Sequence, residues 1–139
     1  MSRQVINALL FLDDKKLEYS QLSCSNILID LSGTIKIWGF EFLRTRSNSS
    51  WGVEALGSIM MTLMQGYVKD DGVVGVDNLD RWRTDSRAVE FLSATTYVND
   101  MNQLLKQPLL QLPWRESRLK GMVSLANCWS SRGYKFPVV

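Results

Sequence analysis

The chain has 139 residues, 45% of them apolar, which is enough for one domain with a buried hydrophobic core. Its 16 basic and 14 acidic side chains give a net charge of +2, too balanced to indicate nucleic-acid or membrane binding from bulk charge. The chain has no histidine, and its two cysteines, Cys24 and Cys128, are far apart in sequence. Zinc ligation and catalysis by a Ser/His or Cys/His pair are therefore excluded.

The N-terminal segment does not have the pattern of an export signal or a membrane anchor. The longest apolar run, residues 8–12, is far shorter than the roughly 20 residues that a membrane-spanning helix needs. Residues 1–4 are not followed by an apolar region with a cleavage site. We therefore expect an intracellular protein, cytoplasmic or nuclear, with no membrane partner and with both cysteines as reduced thiols.

The first predicted elements are an amphipathic helix and a β-hairpin. The helix runs from about residue 3 to the charged turn at 13–16, and its apolar residues are Val5, Ile6, Leu9, Leu10 and Phe11. Two short β-branched runs follow at 27–29 and 34–37. Gly33 between them supplies the positive φ that a tight turn needs, so we predict a hairpin there and no other sheet.

Helices dominate the predicted structure after the hairpin. The clearest runs from about residue 50 to 66, where the apolar stripe consists of Val53, Leu56, Ile59, Met60, Leu63 and Met64. Glycine, asparagine and charged residues between 67 and 85 predict a long loop. Two shorter helices are expected at 87–95 and 101–106, each preceded by Ser, Asp or Asn residues suited to an N-cap.

Residues 113–139 form a predicted tail with a terminal helix. One face of that helix is apolar, and we expect it to dock on the core; its residues are Leu119, Met122, Val123, Ala126 and Trp129. The tail also interleaves aromatic residues with the basic residues Arg115, Arg118, Lys120, Arg132 and Lys135. Such a mixture can stack on single-stranded RNA. The outer face of a docked helix explains the basic residues as well, so nucleic-acid binding is the less favoured interpretation.

Residues 19–41 resemble the catalytic loop, hairpin and magnesium-binding turn of protein kinases. Aligned with the kinase motif H-R-D-L-K-x-x-N, residues 19–26 read Y-S-Q-L-S-C-S-N, and the D-F-G turn reads G-F-E at 39–41. Three later segments, 55–66, 86–92 and 103–110, are similar to kinase helices that follow the turn. The matches cover about residues 2–112. The local sequence is also similar to unclassified kinase-like proteins of filamentous fungi.

The resemblance implies a fold and a division of the chain. Residues 1–112 would form a mainly α domain like the C-terminal lobe (C-lobe) of a kinase, with one short β-hairpin and no N-terminal lobe (N-lobe). Residues 113–139 would form the tail with its docking helix. The segment 42–50 is too short for a kinase activation loop and its platform for a peptide substrate.

The same alignment implies that catalysis is lost. Gln21 stands where kinases place the catalytic aspartate, and an amide cannot accept a proton near neutral pH. Gly39 replaces the main metal-binding aspartate, and Gly52 replaces the helix aspartate that anchors the loop. Asn26 is retained, but one asparagine cannot hold magnesium against water. We expect no enzyme activity, no catalytic or metal-binding residue, no cofactor and no ATP binding.

Two neighbouring carboxylates, Asp30 and Glu41, lie near the same turn. One alternative is that the two carboxylates bind a metal ion in place of the kinase ligands. Their presence is better explained by solvation at the surface.

The expected function is to bind another macromolecule. A kinase C-lobe is covered by its N-lobe, so the equivalent face here would be an apolar patch in need of a partner. That face consists of Ile35, Ile37, Trp38 and Phe40. The partner is expected to be another protein or a second copy of the chain. The alternatives are residual ATP-dependent kinase activity with an N-lobe from another chain, nucleic-acid binding by the basic tail, and coverage of the face by the terminal helix.

Overall fold

A computed structural model of the protein describes residues 2–113 and 116–131. Within them the architecture is mixed, with five α-helices and two antiparallel sheets of two strands each. The helices are α1 Ser2–Asp14, α2 Trp51–Gln65, α3 Arg87–Ala94, α4 Met101–Leu104 and α5 Glu116–Ser131. The strands are β1 Leu17–Tyr19, β2 Ile27–Ile29, β3 Ile35–Ile37 and β4 Leu43–Thr45. Helices contain more residues than strands, in agreement with the mainly α expectation.

The predicted first helix is present as α1 and buries one face in the core. Val5, Ile6 and Leu9 are each no more than 1% exposed. After the helix, Lys16 adopts a φ of 59°, in the left-handed region, and the chain reverses into β1. The charged turn predicted at 13–16 therefore ends the helix as expected.

The predicted hairpin is confirmed, with β2 antiparallel to β3. Gly33 in its turn has a φ of 84°. Asp30 closes the turn, because its Oδ1 accepts hydrogen bonds from the backbone N–H groups of Ser32 (2.9 Å) and Thr34 (3.0 Å). Gln4 of α1 donates from Nε2 to the carbonyl oxygen of Gly33 at 3.2 Å. The hairpin is thus attached to the first helix.

The prediction that the hairpin is the only sheet is wrong, because β1 and β4 form a second antiparallel pair. Glu18 of β1 is 1% exposed, and its carboxylate holds the segment that follows β4. It accepts hydrogen bonds from the backbone N–H groups of Ser47 (3.0 Å) and Asn48 (3.2 Å). The whole hairpin separates the two paired strands, so no turn signal in the sequence indicates that they meet.

Helix α2 lies at the centre of the core, as predicted. Leu56 is 1% exposed and Met60 is 6% exposed. Gly66 ends the helix with a φ of 88°. The predicted apolar stripe is wrong at one position, since Leu63 is 47% exposed and Met61, at 1%, is buried instead. The buried surface of the helix is therefore wider on the side of Met61 than the pattern indicates.

The two shorter helices are confirmed with their caps. The Ser86 hydroxyl accepts a hydrogen bond from the Val89 backbone N–H at 3.3 Å, which begins α3. The Asp100 carboxylate accepts one from the Asn102 N–H at 2.9 Å, which begins α4. Helix α4 is shorter than predicted. Residues 67–85 contain neither helix nor strand, in agreement with the predicted loop.

The predicted terminal helix is present as α5, but two of its apolar side chains are in water. Met122, expected on the inward face, is 68% exposed, and Leu125 is 54% exposed. The side chain of Trp129 and residues 114–115 and 132–139 lie outside the described part of the structure. The docking of the tail on the core therefore stays a prediction. In the ranges 2–113 and 116–131, no helix combines the length and the apolar character needed to cross a bilayer.

Candidate interaction surface

The structure divides the four residues of the predicted apolar face into two pairs. Ile35 and Ile37 are half-buried and pack against the core. Trp38 is 47% exposed and Phe40 is 78% exposed. No described segment covers the Phe40 ring, so the exposed part of the face is formed by the two aromatic residues.

Phe40 also lines an apolar groove with a volume of about 250 Å³. This groove, termed the Phe40 groove, is lined by Ala8, Phe11, Leu12, Tyr19, Ile37, Phe40 and Leu43. The sequence pattern groups Phe11 with the inward residues of α1, which is wrong, because Phe11 is 62% exposed. It follows Leu9 by two positions, about 200° around a helix. That angle is the signal by which its outward position can be predicted.

Tyr19 and Gly39 hold the turn that presents Phe40. The Tyr19 hydroxyl donates a hydrogen bond to the Trp38 carbonyl oxygen at 2.6 Å. Burial, and to a lesser extent the negative charge of Glu41, raises the pKa of Tyr19, so its hydroxyl stays a neutral donor. Gly39 has a φ of 95°, and a Cβ at this position would clash with the Tyr19 hydroxyl. The groove is therefore bounded by a turn that requires glycine.

The Trp38 ring is attached to the loop that precedes the hairpin. Its Nε1 donates to the carbonyl oxygen of Ser25 at 3.1 Å, and its backbone N–H donates to that of Asn26 at 3.0 Å. Asn26 is buried, and its Oδ1 accepts a long hydrogen bond of 3.4 Å from the Ser23 hydroxyl. These contacts give Asn26 a structural role in the loop. They also fix the orientation of a half-exposed tryptophan beside Phe40.

A second cleft, also of about 250 Å³, lies over the loop that resembles the kinase catalytic loop. Gln21, Glu18 and Glu54 are among its lining residues. Hydrogen bonds from the backbone N–H groups of Ser47 and Asn48 lower the pKa of Glu18 to about 2, although burial acts in the opposite direction. A carboxylate with so low a pKa is a poor proton acceptor at neutral pH. We therefore find no general base at Glu18 or Gln21.

The space at Gly52, where the resemblance expects the anchoring aspartate, is taken by Met101. A Cβ on Gly52 would lie 2.6 Å from the Met101 Sδ and 2.8 Å from its Cε. Met101 is 5% exposed and is part of the core. An aspartate at position 52 would thus need a rearrangement of the contact between α2 and α4.

The carboxylates near the glycine turn do not belong to a larger metal-binding cluster in the part of the chain that the structure describes. No group of three or more Asp, Glu, Cys or His side chains suited to a metal ion occurs there. Asp30, weighed with Glu41 as a rewired pair, uses its carboxylate in the hairpin turn. Hydrogen bonds from the Ser32 hydroxyl and from the Thr34 backbone lower the pKa of Asp30 to about 2. Its role is structural.

The basic and aromatic residues of the tail are described only in part. Arg118 and Lys120 lie on α5 and are exposed. Arg115 and the segment 132–139, which contains Arg132 and Lys135, lie outside the described residues. Nucleic-acid binding by the tail therefore stays a prediction. Comparison with protein-family models and with curated proteins finds no match to this chain.

Proposed function

We propose that the chain is a catalytically inactive kinase-like (pseudokinase) domain that acts as a protein-interaction or regulatory module. The observation that supports this function most directly is the exposure of Trp38 and Phe40 beside an apolar groove. Apolar surface left in water costs roughly 25 cal/mol per Å². Contiguous exposed apolar surface on a folded protein commonly marks a site where another macromolecule binds.

Further apolar residues of the hairpin are exposed. Leu28 on β2 is 51% exposed, and Leu31 in the turn is 59% exposed. With Phe11, Trp38 and Phe40, they give the part of the chain from α1 to the glycine turn five large exposed apolar side chains. Three of the five, Phe11, Trp38 and Phe40, are aromatic, the residue type that contributes most of the binding energy at many interfaces.

The inactive character is inferred from three positions in the kinase alignment. Gln21 stands at the position of the catalytic base, and its amide side chain has no acidic group. Gly39 has no ligand for a metal, and its φ and its contact with Tyr19 disfavour any larger residue. Gly52 is packed against Met101. The two glycines are thus built into the packing of the domain, and a single reversion to aspartate would not restore a kinase site.

Site-specific photo-cross-linking tests the interaction half of the proposal. A benzophenone amino acid is placed at position 40 of the full chain in cells, and a matched probe is placed at Tyr97, which is 68% exposed and does not line the Phe40 groove. We expect the probe at position 40 to form a discrete protein adduct and the probe at Tyr97 to form none. Trp38→Asp should weaken the adduct while leaving the circular-dichroism spectrum unchanged.

An equal adduct pattern from both probes would contradict the proposed surface. Phosphotransfer to a generic protein substrate in the presence of MgATP, lost on denaturation, would contradict the inactive assignment.

A further inference from the structure

We infer that the partner in the Phe40 groove is a second copy of this chain, in a two-fold symmetric dimer where Phe40 of each copy enters the groove of the other. This inference rests on the proposed function and deepens it by naming the partner. It follows from two independent features of the surface, the arrangement of its apolar groups and the arrangement of its charges.

The apolar features are self-complementary. A dimer with two-fold symmetry uses the same patch on both copies, so that patch must contain both the inserting group and the site that receives it. Among the large apolar side chains that the structure describes, Phe40 is the most exposed, at 78%, and it stands at a groove of about 250 Å³. A phenyl ring is of a size that such a groove can receive. Both halves of the contact are therefore present on one surface.

The residues around the groove also include one of each charge, Lys15 and Glu41. On the α1 side, the Lys15 Nζ lies 5.7 Å from the centroid of the Phe11 ring. Glu41 is exposed and directly follows Phe40, and its negative charge acts on Tyr19, which lines the same groove. If Phe40 of one copy enters the groove of the other, Glu41 is brought towards α1 of the partner, which lines that groove and carries Lys15 beside Phe11. The arrangement then forms two Lys15–Glu41 pairs between copies.

The contacts of Lys15 within the chain leave it accessible for this pairing. Its side chain is 55% exposed and lies 3.5 Å from the carboxylate of Asp14, which is 76% exposed. An exposed ion pair of this kind contributes little. A partner with charge of one sign would pair with only one of Lys15 and Glu41, whereas a second copy pairs with both.

Sedimentation equilibrium of the full chain tests the dimer. We expect the average mass of the wild type to rise from that of a monomer towards twice that value between about 10 μM and 1 mM, a range that matches a weak interface. Phe40→Asp should raise the dissociation constant at least tenfold, and Tyr97→Asp, the matched exposed aromatic, should leave it unchanged.

A charge exchange tests the two-fold geometry. Lys15→Glu brings two carboxylates together at each pair, and Glu41→Lys brings two ammonium groups together, so each variant alone should be monomeric. A mixture of the two variants restores two opposite-charge pairs and should dimerise, and the double variant in one chain should dimerise with itself. Glu90→Lys, a change at an exposed position on α3, is the control and should behave as wild type.

Three results would overturn the inference: a wild type that stays monomeric throughout this range, a dimer that survives Phe40→Asp, or single charge variants whose mixture stays monomeric. The photo-cross-link at position 40 distinguishes failure of the dimer inference from failure of the proposed function. An adduct with a different protein would leave the interaction module standing without the dimer, and the absence of any adduct would remove both.

Discussion

Gly39 has a backbone conformation that favours glycine, since its φ is 95° and a Cβ would clash with the Tyr19 hydroxyl. Gly39→Ala should lower the free energy of unfolding by more than the roughly 1–3 kcal/mol typical of a residue held at positive φ. Urea denaturation measures the change. Gly72→Ala is the matched control, because Gly72 has a φ of 74° and its Cβ would meet nothing within 4 Å. Equal costs at the two positions would show that the contact with Tyr19 is unimportant.

Glu18 makes the stability of the fold depend on pH. Its pKa in the folded protein is lowered from 4.5 to about 2, chiefly by the hydrogen bond from the Ser47 backbone. A depressed folded-state pKa stabilises the fold above the unfolded value, and this stabilisation is lost as the pH falls through the folded value. The free energy of unfolding should therefore decrease between pH 4.5 and about 2.

The variant Glu18→Gln isolates this contribution. The difference in unfolding free energy between wild type and Glu18→Gln should be largest at neutral pH and should shrink as the pH approaches about 2. Denaturation curves recorded at neutral pH and at two acidic values measure it. A difference that does not change with pH would mean that the Glu18 charge is unimportant and that only its shape matters.

At the scale of the element, α2 offers a comparison between two leucines on one helix. Leu56 is 1% exposed and Leu63 is 47% exposed. Leu56→Ala removes buried methyl groups and leaves a cavity, so it should lower the unfolding free energy by about 2–5 kcal/mol. Leu63→Ala, an identical substitution on the exposed side, should cost clearly less. Similar midpoints for the two variants in urea would mean that the burial assigned to α2 is wrong.

Elements differ in how far local sequence predicts them. The helices α1, α2 and α3 follow from apolar spacing with Ser86 and Gly66 at their ends, and the hairpin follows from Gly33. These signals act over a few residues, so they can be recognised without the rest of the chain. The pairing of β1 with β4 cannot be recognised in this way, because its stabilising free energy comes from contacts between segments that are distant in sequence.

For the whole molecule, the proposed function predicts that MgATP does not bind. With no acidic side chain at Gln21 or Gly39, we expect the melting temperature to be the same with and without millimolar MgATP. Ligand at ten times its Kd would stabilise the fold by about 1.4 kcal/mol, which a thermal-shift assay detects. An active kinase assayed in parallel shows that the MgATP is able to bind and to raise a melting temperature. A reproducible upward shift for this chain would contradict the prediction.

The candidate site shows the same division between local and distant information. Trp38 and Phe40 are predicted from the sequence as members of an apolar face, and the structure places both in water. Phe11, which lines the same groove, is grouped by the pattern with the core. The sequence suggests no partner-binding role for Lys15 and weighs Glu41 only as half of a metal pair, since the approach of both residues to the groove depends on how α1 packs against the hairpin and the glycine turn.

The local elements of this protein follow from its sequence, because helix periodicity, caps and glycine turns depend on neighbouring residues. The sequence also shows that the Gln21 side chain cannot accept a proton near neutral pH, because the identity of a side chain sets its acid–base chemistry. The burial of Glu18 as an ion, the exposure of Leu63 and the groove beside Phe40 became visible in the folded chain alone. Those properties depend on which distant segments pack together. Many residues contribute to the free energy of that packing, so no short sequence pattern reports it.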